Sequence, residues 1–236
     1  MWLGVGLCLG LGLLCGLING CLVVWLRVHP FIITLGTMWI FRGIAFVASK
    51  AESILLPAPL PGAVKASLGL GEALYPVPLL IMLAVTALGS LYLSRTVMGR
   101  HVYAVGGNRE ASEYAGLRIG PILIGVYTLS GLTAGIAALV GSSYYGSASC
   151  ADATGYELYV IAAAVVGGAS LMGGKGTAVN AALGAVLIVL IRQSIRTLHC
   201  DQNYEWIIIG CATIVAVVLD RLNARLAQRR LLSAPR

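Results

Sequence analysis

The sequence predicts an all-α fold, a polytopic transmembrane helix bundle of about seven spans. Three observations carry that prediction. The chain of 236 residues is 58% apolar and only 11% charged, with a mean hydropathy of +0.90. Its apolar residues gather into runs near the roughly 20 residues that a helix needs to cross a bilayer core of about 30 Å. Its charges fall between those runs and at the C-terminal end. Backbone amides and carbonyls in lipid must be paired inside the protein, so runs of this length read as helices rather than barrel strands.

The first segment, 1–26, carries no charge. It is longer than the apolar region of a signal peptide and lacks a basic start and a clear small-residue cleavage site, so it reads as a span. The second, 31–49, holds Arg42, the one charge well inside an apolar run, and a long arginine there snorkels toward the polar boundary. Residues 50–76 contain Pro57, Pro59, Pro61 and Pro76 and fit either a short surface helix or a plain connector. The third segment is 77–94 and the fourth 121–145. The fifth, LYVIAAAVVGGASLM at 158–172, is short and broken by glycine; the sixth is 178–197 and the seventh 206–220.

With seven spans the connections alternate sides. One face collects Arg27, the charges of 95–118, Lys175 and the tail after 220, which is eleven of the sixteen Lys and Arg. The other face holds Lys50, Lys65, Arg192 and Arg196. The positive-inside rule places the eleven in the cytoplasm. The N-terminus is then periplasmic, the C-terminus cytoplasmic, and 221–236 a basic cytoplasmic tail. The whole chain reads as a single transmembrane domain of a bacterial inner membrane, with membrane lipid as its surroundings.

Thirty glycines accompany this pattern. GxxxG spacing recurs at Gly6/Gly10, Gly12/Gly16 and Gly16/Gly20, and again at Gly131/Gly135. It lets helix backbones approach, either inside one bundle or across a dimer seam. Cys8, Cys15, Cys21 and Cys211 lie in apolar runs as small hydrophobes. Cys150 and Cys200 fall in loops on one face, where a disulfide is conceivable. No CxxC occurs, and His29, His101 and His199 are scattered, so no metal site is expected.

Several functions are excluded by the same reading. The net charge of +7 forms no basic stripe with aromatics, so nucleic acid is not a partner. ASLMGGKGT at 169–177 resembles a phosphate loop but has Ala169 where the first glycine belongs and Gly176 where Ser or Thr belongs. The chain is expected to bind no ATP and no other cofactor. Gly167, Gly168, Gly173 and Gly174 instead mark either a broken helix lining a solute path or a tight cytoplasmic turn. The spans hold no carboxylate at mid-depth, since Glu157, Glu205 and Asp220 lie at ends. Proton- and sodium-coupled carriers need such groups, so the energy source is expected elsewhere and the solute to be neutral or weakly charged. No nucleophile–base pair stands out, so the chain does not read as an enzyme.

The charged island GGNREASEYAGLRIG at 106–120 stands against this background. Asn108 is a good N-cap, Glu110 and Glu113 sit where the helix dipole favours anions, Gly116 is a natural stop, and Arg118 follows at the favourable end. Ala111, Tyr114 and Ala115 recur at helical spacing. A two-turn amphipathic helix on the cytoplasmic face is expected. It serves either as a linker held against its own bundle or as a lever that docks into a soluble partner.

Three blocks bear a family likeness. TLGTMWIFRG at 34–43, YAVGGNREASEYAGL at 103–117 and TGYELYVIAAAVVGGASLMGGKG at 154–176 together resemble the permease subunit of ribose-, xylose- and galactose-type ABC importers. In the second block Gly106, Gly107, Asn108, Ala111, Ala115 and Gly116 match; in the third, Gly167, Gly168, Ser170, Gly173, Gly174 and Gly176 are among the matches. The likeness runs from about residue 15 to 222, and such permeases carry about three further spans ahead of the first block.

The resemblance implies two permeases, as a second copy or a paralogue, with two cytoplasmic ABC ATPases that hold Mg-ATP and a periplasmic solute-binding protein. It implies that the helix within 106–118 couples to the ATPase, through Gly106, Gly107, Asn108, Glu110, Ala111, Glu113, Tyr114, Ala115, Gly116 and Arg118. Thr34, Thr37, Gly167, Gly168, Ser170, Gly173 and Gly174 are the residues expected along a solute path. Thr34, Thr37, Asn180 and Gln193 offer hydrogen bonds either to a hydroxylated solute or within the bundle. The alternatives are a stand-alone secondary carrier or channel, and a truncated subunit that only binds partners.

Overall fold

The computed structural model describes residues 2–56 and 76–198, together with Ile207, Gly210, Cys211, Ile214 and Val218, each in helix. The proline-rich part of the 50–76 connection, His199, Cys200, most of the expected seventh span and the tail at 221–236 lie outside the described residues. Eight helices and two short strands are described: α1 Trp2–Leu26, α2 Pro30–Ser49, β1 Ile54–Leu55, α3 Pro76–Arg95, α4 Val97–Gly107, α5 Arg109–Tyr114, α6 Ile119–Tyr145, β2 Ser147–Ala148, α7 Tyr156–Val166 and α8 Ala178–Thr197. Five of them, α1, α2, α3, α6 and α8, are long and apolar enough to cross a membrane.

The helix ends follow local chemistry. Pro30 opens α2 at a position where its missing N–H is not needed. α2 stops where Lys50 turns left-handed at φ 53 and its N–H bonds back to the Phe46 carbonyl. α6 begins at Ile119, two residues ahead of the expected start, because Pro121 sits inside the first turn, where amides have no helical partner. The fifth apolar run is a larger departure. Its helix, α7, ends at Val166 rather than running on to 172, and Gly168, Gly173, Gly174 and Gly176 all take positive φ in the loop that follows. Hydrophobicity continues there, but the backbone conformation does not.

The chain divides into two compact units. One contains Met1–Val85 and Glu113–Asp152. In it, α1 lies along α6 through a glycine seam. A Cβ placed on Gly12 would stand 2.6 Å from the Gly131 carbonyl oxygen, and one on Gly20 would stand 2.9 Å from Ile124 Cα. A Cβ on Gly16 would run into the Tyr127 carbonyl oxygen, and one on Gly131 into the Gly12 carbonyl oxygen, closer still. The spacing at Gly12, Gly16 and Gly20 is therefore used inside this unit, whereas Gly6 and Gly10 meet nothing within 4 Å. Thr37 Oγ1 of α2, buried, reaches Asn19 Oδ1 of α1 at 2.6 Å and the Thr34 carbonyl at 3.1 Å. β1 and β2 pair antiparallel, Ile54 opposite Ala148 and Leu55 opposite Ser147, so the connections after α2 and α6 share one side of the membrane.

The other unit contains Thr86–Ser112 and Ala153–Arg236. Its centre is the antiparallel pair of α7 and α8, with Tyr159, Ala162, Ala163 and Ile188 buried between them. Gly184 and Gly167 bring the two backbones together, since a Cβ on either would collide with a carbonyl of the opposite helix. At the far end of the pair, the Arg192 guanidinium lies 4.7 Å from the Tyr159 ring centre and 5.4 Å from that of Tyr156. Its Nη1 donates to Tyr156 Oη at 3.4 Å. Arg192 thus faces protein.

Candidate functional site

The charged island folds as two helices and a joint. α4, not anticipated from the apolar pattern, starts at Thr96, whose Oγ1 accepts the Gly99 N–H at 3.0 Å. It runs to Gly107. Asn108 then ends one helix and begins the next. Its N–H bonds to the Ala104 carbonyl at 3.0 Å, while its side-chain oxygen accepts the Ala111 N–H at 3.0 Å and its carbonyl accepts both the N–H and the hydroxyl of Ser112. Glu110 occupies the first turn of α5, next to the positive end of the helix dipole. Gly116 takes φ +83, a conformation that costs a side-chain-bearing residue, and turns the chain toward α6. Arg118 stands at the cap position of α6 without a side-chain capping bond.

α5 shows its surface outward. Asn108, Glu110, Ala111, Glu113, Ala115 and Gly116 are all exposed, and Tyr114 is 91% exposed. Ser112 alone is buried within the helix. The apolar stripe of Ala111, Tyr114 and Ala115 therefore covers nothing described in this chain. A tyrosine left this open presents a large amphipathic side chain to whatever meets it.

The glycine loop that joins α7 to α8 meets the end of α4. Gly173 and Gly174 rest directly on Gly106 and Gly107 at the end of α4. A Cβ on Gly106 would come 2.6 Å from Gly174 N, one on Gly173 would come 2.7 Å from the Gly106 oxygen, and one on Gly174 would come 2.6 Å from Gly107 Cα. Tyr103 Oη adds a hydrogen bond to the Gly176 carbonyl at 2.6 Å. The loop is tied within itself too: the Ser170 N–H donates to the Lys175 carbonyl and the Gly173 N–H to the Ser170 carbonyl, each at 3.1 Å. Two glycine pairs assigned to different roles on sequence grounds thus form one contact, and the two loops lie on the same side of the membrane. The clue in the sequence was that charge placed both pairs on one face.

The other expected pathway residues are placed as follows. Thr34 Oγ1 bonds back to the Pro30 and Phe31 carbonyls, and Thr37 is engaged with Asn19. Gly167 lines a groove of about 270 Å³ with Val166, Asn180, Leu183, Gly184 and Leu187. Gly168 and Ser170 belong to the loop. Among the described residues no group of His, Cys, Asp or Glu could hold a metal ion.

The family model for the permease component of branched-chain amino acid transport systems matches residues 1–218. A D-allose transport system permease protein of Escherichia coli is 37% identical over 89% of this chain and 64% of its own length. A ribose import permease protein of Haemophilus influenzae is 36% identical over 89% of the chain and 65% of its own length. A fructose import permease protein of Rhizobium meliloti is 34% identical over 93% of the chain and 62% of its own length. The chain thus spans somewhat under two thirds of the length of each of these relatives. These relatives are transport permeases. No solved structure matches significantly.

Proposed function

The chain belongs to this permease-component family, and from that premise we propose that it is the membrane-spanning permease subunit of an ATP-driven importer of sugar-class solutes. It sits as a multi-pass protein in the bacterial inner membrane. The observation that carries the coupling role is α5, a capped helix exposed on all but Ser112 and placed between helices of an otherwise apolar chain. The Asn108 side chain accepts the Ala111 N–H, one of the amides left open at the start of that helix, and so favours its formation. A cytoplasmic ATPase binds that helix, holds the Mg-ATP and supplies the energy. The permease, paired with a second copy or a paralogue, supplies the gated path, and a periplasmic solute-binding protein delivers the solute. The solutes of these relatives, D-allose, ribose and fructose, support a neutral hydroxylated cargo. So does the lack of any carboxylate at mid-depth in the spans.

Co-purification of the tagged chain with its ATPase tests this reading. Glu113→Arg reverses a charge on the exposed helix, and Ala115→Trp adds bulk beside Tyr114. Both are expected to lose ATPase association while still inserting into the membrane. Undiminished association of both variants contradicts the docking role.

A further inference from the structure

We infer that Tyr103 and the glycine loop 173–176 position the coupling helix against the α7–α8 pair, forming the relay through which movement of α5 reaches the membrane. This inference rests on the reading of α5 as the ATPase-docking element.

The relay is a run of direct contacts. α5 is fastened to Asn108, and Asn108 is bonded to the end of α4. The end of α4 is Gly106–Gly107, on which Gly173 and Gly174 lie backbone to backbone. No side chain intervenes, so no rotamer change can absorb a displacement there. Tyr103 closes the same seam one turn earlier, through its bond to the Gly176 carbonyl. One residue on, Thr177 caps α8 by accepting the Asn180 N–H at 3.1 Å. At its other end the loop leaves α7 at Gly167, whose backbone lies against Asn180 and Gly184. The loop therefore grips the starting turns of α8 and the last turn of α7 together. A push on α5 reaches α8 through the backbone contact of Gly106–Gly107 with Gly173–Gly174, held closed by the Tyr103 hydroxyl.

The geometry separates this role from simple packing. Tyr103→Phe keeps the ring and its packing and removes only the hydrogen bond. It should fold normally yet loosen the seam. Gly174→Ala places a methyl group against Gly107 Cα and should open the seam outright.

The test uses the full chain in its complex with the ATPase, reconstituted in lipid. Val179→Cys, exposed on the first turn of α8, is labelled with a hydrophilic maleimide in the presence and absence of Mg-ATP. The expected result is an ATP-dependent change in labelling rate in the Val179→Cys chain. Adding Tyr103→Phe should reduce that change several-fold, and Gly174→Ala should remove it, with ATPase retention and ATP hydrolysis preserved. An unaltered ATP-dependent change in the Tyr103→Phe chain overturns the relay. So does an assembled, hydrolysing complex with no ATP-dependent change at position 179. Failure of the docking reading has a different signature, since Glu113→Arg and Ala115→Trp would then keep the ATPase whatever the labelling shows.

Discussion

Asn108 shows how much one residue can organise. A β-like backbone lets it end α4, and its short side chain reaches the Ala111 amide, one of the unpaired donors at the start of α5. Alanine at this position leaves that donor to water and should cost about 1 kcal/mol of helix stability. Because α5 has only six residues, that is a large share of what holds it. Asn108→Ala should therefore weaken ATPase retention in co-purification, and Asn108→Asp, which keeps the cap, should restore most of it. Equal loss in both variants would assign the effect to something other than capping. The cap was legible in the sequence because its chemistry is local. The exposure of Tyr114 was not, because helical spacing identifies a stripe without saying what lies opposite.

Among the elements, the long helices were legible from hydrophobicity and length alone, and α1, α2, α3, α6 and α8 lie within a few residues of the expected segments. α4 was hidden, since its charges sit among apolar residues and its only clear signal is the capping Thr96. The end of α7 was hidden for the opposite reason. Leu171 and Met172 extend the apolar run, but they lie past the left-handed glycine at 168. Neither helix-to-helix glycine seam could be assigned from spacing, because GxxxG marks a face and not its partner. The structure divides the glycines of α1 sharply, with Gly12, Gly16 and Gly20 against α6 and Gly6 open. Gly131→Ala should then destabilise the detergent-solubilised chain by about 1–3 kcal/mol, the usual cost of overpacking. Gly6→Ala should leave its thermal midpoint nearly unchanged. Equal midpoints for the two variants would contradict the α1–α6 seam.

For the whole molecule, the central feature is a division of labour. The chain matches transport permeases along most of its length, and its membrane segments lack the carboxylates that an ion-coupled carrier would use. On the proposed reading, energy enters from outside the bilayer through α5, which is exposed at every residue but Ser112. The alternation of connections was read from Lys and Arg. That reading puts on a common side the connections that meet as β1 with β2, and those that meet as Gly106–Gly107 with Gly173–Gly174. Which side faces the cytoplasm decides the account. Tyr114→Cys, labelled with a membrane-impermeant maleimide in vesicles of known orientation, measures this directly. Labelling in inside-out vesicles and protection in right-side-out vesicles is the predicted result; labelling from the periplasmic side would contradict it.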